Sequence, residues 1–107
     1  MHNTTITIIT VTYNAAELLE KTILSVLQQT HNNVEYIIMD GNSTDATVEC
    51  IRKYKDQLSY WESKPDRGIY HAMNKGVAKA SLRSGKVLLI SITIKLSLYY
   101  PNIILFT

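Results

Sequence analysis

The sequence predicts an α/β doubly wound fold, in which a mostly parallel sheet is covered by flanking helices. Short apolar runs rich in β-branched residues alternate along the chain with segments whose apolar residues recur at helical spacing. These segments are long enough to cross over the sheet, and such crossovers join parallel strands with a right-handed connection. The carboxyl ends of the strands should therefore meet at one edge of the sheet.

The composition is that of one ordinary globular domain. The chain has 107 residues, of which 46% are hydrophobic and 19% are charged. The net charge of +2 is too small to indicate a nucleic-acid partner. Cys50 is the only cysteine, which excludes an intrachain disulfide and a cysteine-cluster zinc site. The first residues lack the pattern of a signal peptide, so we expect a cytoplasmic protein.

The first strand and helix are predicted early in the chain. Residues 5–11 are all β-branched, which is typical of a strand that is buried on both faces. Asn14 follows at a position where it could cap a helix. Four apolar residues behind it share one helical face: Leu19, Ile23, Val26 and Leu27.

A second strand and helix are predicted next. Residues 34–39 form an apolar strand that ends in Asp40, and a Gly-Asn-Ser turn follows it. Ser43 or Thr44 is a favourable N-cap for the second helix. An ionised carboxylate at the end of a buried strand is poorly explained by packing alone.

The remaining elements are a short strand, a regular helix and a last strand. Residues 58–62 form the third strand candidate, and residues 64–68 carry a turn signal. Apolar and small residues then recur at helical spacing, and the small ones would let this helix lie close to its neighbour: Ile69, Ala72, Met73, Gly76, Val77 and Ala80. Residues 87–94 are a fourth apolar run rich in β-branched residues.

Three polar segments follow the first three strands, at residues 12–14, 40–43 and 63–67. In a parallel sheet these segments share one edge, where α/β proteins bind their ligands. Three polar tips on one edge predict a single ligand crevice.

Five residues of these tips are candidate ligand contacts. Asp40 could accept hydrogen bonds from a base or from sugar hydroxyls, or it could only hold its own turn. Thr12 and Asn14 offer polar side chains at the first tip. Asp66 could bind ligand or cap the third helix, and Arg67 could bind a phosphate.

Two more charged residues lie near these tips. Lys75 is a second candidate partner for a phosphate. Asp45 falls in the first turn of the second helix, where the helix dipole explains it without any function.

Several common nucleotide and catalytic motifs do not occur. The sequence has neither a G-x-G-x-x-G after the first strand nor a G-x-x-x-x-G-K-[ST]. Its three histidines lack metal-ligand spacing, and no serine or cysteine is paired with a histidine in a pattern typical of covalent catalysis. We therefore expect a nucleotide bound by strand-end side chains.

Four segments together resemble a known family in their order and spacing: residues 8–14 (IITVTYN), 25–30 (SVLQQT), 36–45 (YIIMDGNSTD) and 65–76 (PDRGIYHAMNKG). They resemble the nucleotide-binding half of the inverting family 2 glycosyltransferases. This resemblance implies a GT-A type, Rossmann-like fold and a nucleotide-diphosphate sugar as the partner.

The resemblance also implies roles for the site residues. Thr12 and Asn14 would line the nucleotide pocket, and Asp40 would hold the base. Asp66 would belong to the same site, and Arg67 would lie near the diphosphate. His71 occupies a position where relatives often carry an aspartate.

The sequence departs from the family after about residue 81. Family members continue into a strand that ends in an Asp-x-Asp motif, which binds Mg²⁺ or Mn²⁺ at the donor diphosphate. No acidic residue follows here, and the acceptor-binding half with its catalytic base is missing. We therefore assign no catalytic and no metal residue.

These departures predict a sheet that is incomplete at its carboxyl-terminal side. Residues 1–86 would be the nucleotide-sugar-binding half, and residues 87–107 an apolar, strand-like tail unlike the family. We expect a truncated or frameshifted fragment that does not transfer a sugar by itself.

Two alternatives remain open at this point. The chain could be a non-catalytic nucleotide-binding or regulatory module. It could also attach to a membrane through residues 87–107, although Lys95 near the middle of that segment and its β-branched content disfavour a membrane span.

Overall fold

The computed structural model describes residues 6–28 and 34–80 and the backbone of residues 87–94. The elements in chain order are β1 (Ile6–Tyr13), α1 (Ala16–Leu27), β2 (Val34–Asp40), α2 (Thr47–Lys53), a 3-10 turn (Lys55–Gln57), β3 (Tyr60–Ser63), α3 (Ile69–Ala80) and β4 (Val87–Ile94). All the predicted elements are present. Thr5, which was predicted to begin the first strand, lies outside the described residues.

The four described strands form one parallel sheet in the order β3-β2-β1-β4. The chain moves outward from β1 through β2 to β3 and then returns to the other side of β1. The predicted parallel, doubly wound arrangement is therefore confirmed. In its register, Thr12 of β1 lies directly opposite Asp40 of β2, and Asp40 lies opposite Ser63 of β3. The three polar tips thus lie side by side.

The sheet is buried on both faces. One core cluster joins α1 and α2 to the sheet through Ile8, Leu19, Ile23, Tyr36, Ile38 and Ile51. The other joins α3 to the opposite face through Ile9, Val11, Ile37, Met39, Ala72 and Ala80. Neighbouring residues of β1 and β2 therefore alternate between the two clusters. Burial on both faces is why these strands are apolar at almost every position.

Helix α3 lies unusually close to the sheet, as its small residues predicted. A Cβ atom built on Gly76 would lie 2.6 Å from Ile9 Cγ2 and 3.4 Å from Met39 Cγ. Gly76 is therefore required for space, because any side chain here would push α3 away from β1.

The starts of α1 and α2 differ from the sequence prediction. Asn14 does not cap α1, because its backbone is left-handed, with φ of 47°. The residue before α1 is Ala15, whose backbone N–H donates to Thr47 Oγ1 at 3.0 Å. Helix α2 begins only at Thr47, so neither Ser43 nor Thr44 is its N-cap.

The last described strand, Val87–Ile94, pairs with β1 along the full length of β1. These residues, which were predicted to begin a tail unlike the family, thus lie in the same sheet as β1, β2 and β3. Residues 81–86 and 95–107, including Lys95, lie outside the described residues. Within the part of the chain that the structure describes, no helix is long and apolar enough to cross a bilayer.

Candidate functional site

A cavity of about 450 Å³ opens at the carboxyl ends of β1 and β2, beside the start of α3. This is within the range of small-molecule sites, and it lies at the sheet edge where α/β proteins bind ligands. The cavity is lined by Val11, Thr12, Tyr13, Gly41, Asn42, Thr44, Pro65, Asp66, Gly68, Ile69 and Ala72. All three predicted tips contribute to this lining or border it.

Asp40 lies beneath the cavity and does not line it. Its side chain is only 1% exposed, and both carboxylate oxygens accept hydrogen bonds from the protein. Oδ2 accepts from the backbone N–H of Ser43 at 2.8 Å and from Ser63 Oγ at 2.7 Å, and Oδ1 accepts from Ser43 Oγ. Asp40 therefore ties the ends of β2 and β3 to the turn that follows β2.

Asn14 continues this network to the end of β1. Its backbone N–H donates to Ser43 Oγ at 2.8 Å, and its Oδ1 accepts from the backbone N–H of Thr44 at 2.8 Å. Asn42 in the same turn is also left-handed, with φ of 70°. These bonds use Ser43 and Thr44 to join two tips, which explains why they are not available to begin α2.

Asp66 lines the cavity from the loop before α3. Its Oδ1 accepts the backbone N–H of Gly68 at 2.9 Å, which fixes the turn before the helix. Its Oδ2 points to β2, since a Cβ on Gly41 would lie 2.9 Å from this atom. Asp66 thus fixes the turn that leads into α3 without capping the helix itself, and it belongs to the cavity lining.

Arg67 is exposed at the rim and is not among the residues that line the cavity. Its backbone N–H donates to His71 Nδ1 at 2.8 Å. His71 therefore closes the first turn of α3, which gives this side chain a structural role.

Thr12 lies at the floor of the cavity and is 3% exposed. Its Oγ1 is buried without a hydrogen-bond partner among the described residues. A buried hydroxyl without a partner costs free energy, which a bound ligand can restore by forming a hydrogen bond. Thr12 is thus a candidate ligand contact on structural grounds as well.

Lys75 lies away from the cavity, and its charge is already neutralised. Its Nζ lies 2.8 Å from Glu62 Oε2, and Glu62 Oε1 accepts a hydrogen bond from Tyr60. Burial favours the neutral carboxyl of Glu62, but the hydrogen bonds from Lys75 and Tyr60 outweigh it and lower the pKa of Glu62. The predicted phosphate contact of Lys75 is therefore replaced by an ion pair between α3 and β3.

Asp45 has a structural role, but it precedes α2 and does not lie in the first turn of that helix, where the sequence analysis placed it. Its Oδ1 accepts hydrogen bonds from the backbone N–H and from the hydroxyl of Thr47, the first residue of α2. Partial desolvation opposes ionisation, but these bonds and one from the backbone of Ala16 lower the pKa of Asp45. Asp45 stabilises helix starts and does not line the cavity.

The structure thus brings all five predicted site residues to one edge of the sheet, but at different depths. Thr12 and Asp66 line the cavity, Asp40 and Asn14 support its walls, and Arg67 lies at the rim. Tyr13 and Gly41 lie within the predicted tips but were given no role there, and Ile69 was expected only as a helix residue. The role of Gly41 was signalled by its place directly after the strand, where a glycine leaves room for a neighbouring side chain.

The described residues do not form a metal site. Among residues 6–28 and 34–80, no group of three or more His, Cys, Asp or Glu is placed to hold a metal ion. The divalent ion expected for the family therefore has no fitting set of ligands in this part of the chain, and we derive no chemical step from it.

Comparisons with known proteins agree with this geometry. The model of the family described as "Glycosyl transferase family 2" matches residues 7–90. An uncharacterized glycosyltransferase of Mycobacterium tuberculosis is 38% identical over 78 residues, which cover 72% of this chain and 30% of the relative.

Two solved structures share the fold. A mannosyltransferase from Pyrobaculum calidifontis, in complex with GDP-Man and Mn²⁺, has a TM-score of 0.74 and 25% identity over 86% of this chain and 28% of its own. TarS of S. aureus, in complex with UDP-GlcNAc, has a TM-score of 0.70 and 22% identity over 82% of this chain and 26% of its own. The GT-A type fold implied by the resemblance is confirmed.

The chain spans less than a third of the length of each of these three proteins. Within that span, the family match covers the strand ends, the cavity and the helix that borders it. The chain therefore belongs to glycosyl transferase family 2.

Proposed function

We propose that this chain binds a nucleotide-diphosphate sugar in the cavity and forms the donor-binding part of an inverting glycosyltransferase. The observation that carries the proposal is the cavity itself, which lies at the carboxyl edge of a parallel sheet and is lined by polar groups from separate strand tips. The five residues Thr12, Asn14, Asp40, Asp66 and Arg67 form its proposed binding site.

The charge distribution fits a ligand that is anionic at one end only. Arg67 is an exposed cation at the rim, where a diphosphate could bind it through two hydrogen bonds. The cavity itself is lined by uncharged residues and by Asp66, whose carboxylate can accept hydrogen bonds from the uncharged polar groups of a nucleoside.

We propose binding without sugar transfer by this chain alone. The described residues hold no metal cluster, although the Pyrobaculum mannosyltransferase was solved with Mn²⁺. Transfer to an acceptor hydroxyl further requires a base placed beside that acceptor.

Calorimetric titration with UDP-GlcNAc and GDP-Man, each with and without Mn²⁺, tests the proposal. We expect at least one of them to bind, with no release of free sugar. Absence of binding by either nucleotide sugar up to millimolar concentration would refute the proposed function, and metal-dependent turnover would refute the absence of transfer.

A pair of threonine variants gives a matched control. Thr12→Val removes a buried hydroxyl that has no partner among the described residues, so it should weaken binding without loss of stability. Thr10→Val removes a hydroxyl that is hydrogen-bonded to Tyr36 OH at 2.8 Å, and should cost about 1 kcal/mol of stability without weakening binding. Equal effects of the two variants on binding would contradict the place given to Thr12.

A further inference from the structure

The two carboxylates of the proposed site differ in what they can still bind. Asp40 is 1% exposed, and three protein donors already bind its two oxygens. An ionised carboxylate offers about four acceptor positions, so little capacity is left at Asp40. It also lies outside the cavity lining.

Asp66 has the opposite surroundings. It lines the cavity, and only its Oδ1 accepts a hydrogen bond, from the backbone N–H of Gly68, within the described part of the chain. None of the ion pairs among the described residues involves Asp66. Its Oδ2 is therefore available to a ligand.

Gly41 leaves the space that this carboxylate occupies. Its backbone does not have a positive φ, so the local conformation would accept any residue. A Cβ at this position would nevertheless lie 2.9 Å from Asp66 Oδ2 and 3.4 Å from its Cγ. The glycine thus allows the Asp66 carboxylate to lie against the end of β2.

We propose that Asp66, and not Asp40, is the carboxylate that contacts the bound nucleotide, where it accepts hydrogen bonds from uncharged donors of the nucleoside. These donors are a ribose hydroxyl or an N–H group of the base. An uncharged donor suits this position better than a phosphate, because a phosphate would repel the Asp66 carboxylate and finds its cation at Arg67 on the rim. The inference rests on the proposed nucleotide binding, and it makes Asp40 a positioning residue that holds the strand tips.

The test uses UDP or GDP, whichever binds the full chain more tightly, and two derivatives of it. The 2′-deoxy derivative lacks a ribose donor, and a derivative methylated at the base N–H lacks the base donor. We expect at least one derivative to bind the unaltered chain about tenfold more weakly than the parent nucleotide, as loss of a hydrogen bond to a charged group implies.

Three variants then identify the carboxylate. Asp66→Asn keeps an amide oxygen for the Gly68 N–H, so it should remain as stable as the original chain but lose the discrimination between parent and derivative. Gly41→Ala, which displaces the carboxylate, should do the same and should add nothing to Asp66→Asn. Asp40→Asn should lower the unfolding midpoint and weaken the binding of all three nucleotides by the same factor, so the difference in affinity between parent and derivative remains.

The outcomes separate this inference from the function on which it rests. If neither UDP nor GDP binds the unaltered chain, the proposed function fails and the inference fails with it. If the parent nucleotide binds, three results would overturn the inference alone. The derivatives could bind the unaltered chain as tightly as the parent nucleotide does, the difference in affinity between parent and derivative could persist in Asp66→Asn, or that difference could be lost in Asp40→Asn.

Discussion

Replacing Gly76 by alanine should loosen the contact between α3 and the sheet. The added methyl carbon would lie 2.6 Å from Ile9 Cγ2, whereas non-bonded carbons prefer about 3.5–4.0 Å. Ile9 is fully buried on the central strand β1, and Cγ2 is attached directly to its Cβ, so neither partner can yield without moving backbone. One of the two elements must therefore shift by about 1 Å.

Two opposing terms set the size of the effect. Alanine favours a helix over glycine by about 1 kcal/mol. Overpacking a closely packed core costs about 1–3 kcal/mol, and the clash at Gly76 belongs in the upper half of that range. We therefore expect Gly76→Ala to lower the free energy of unfolding by about 1–2 kcal/mol.

A double-mutant cycle with Ile9→Ala separates the two terms. Ile9→Ala alone should cost about 2–5 kcal/mol, because it leaves a cavity. It also removes Cγ2, so Gly76→Ala in this background should stabilise the protein by about 1 kcal/mol. The sign of the effect of Gly76→Ala thus reverses between the two backgrounds.

Urea unfolding of the four proteins, in a constant sulfate concentration that supports the folded state, measures these differences. Ala78→Gly, at an exposed position of the same helix, calibrates the helix propensity and should cost about 1 kcal/mol. If Gly76→Ala has the same effect in both backgrounds to within about 0.5 kcal/mol, the steric explanation is wrong.

Two further predictions concern the ion pair on α3 and the turn after β1. Because the pKa of Glu62 is lowered in the folded state, its contribution to stability is present above its unfolded pKa of about 4.3 and is lost as pH falls through the folded value. Glu62→Gln should therefore lower the free energy of unfolding by about 1.5–3 kcal/mol at neutral pH, because Lys75 loses its charged partner. Urea unfolding should show that the difference between the variant and the original chain shrinks at acid pH. A difference that does not change with pH would contradict this. Asn14→Gly keeps the left-handed backbone but loses the hydrogen bond to Thr44, so it should lower the free energy of unfolding by about 1 kcal/mol. Asn14→Ala should lower it by about 1–2 kcal/mol more, because alanine is strained in a left-handed conformation. Equal thermal midpoints for the two variants would disprove this strain.

The order of the elements could be predicted because it depends on local patterns. Residues that alternate between two core clusters must be apolar at almost every position, and β1 shows this in its uninterrupted β-branched run. The close approach of α3 was also foreseeable, because Ala72, Gly76 and Ala80 recur on one side of the helix and all three are buried.

The helix starts could not be predicted, because their partners are distant in sequence. Asn14 has the composition of an N-cap, but its amide oxygen binds Thr44, 30 residues later. The N–H of Ala15 is satisfied by Thr47, 32 residues away. Local propensity ranks caps by residue type, whereas here a contact between neighbouring strand tips decides which group each side chain binds.

The sequence by itself determined the fold class, the edge at which the polar tips meet and the five residues around them, because strand period and crossover length constrain a parallel sheet strongly. Only the tertiary structure decided which carboxylate can reach a ligand. Asp40 and Asp66 look alike in sequence, because each is an acidic residue at a turn signal that follows an apolar strand. In the folded chain, Asp40 is surrounded by hydroxyl and N–H donors from Ser43 and Ser63, whereas Asp66 lies at the cavity in the space that Gly41 leaves. Burial and hydrogen bonding therefore separate the roles of the two residues, and both depend on residues that are distant in sequence.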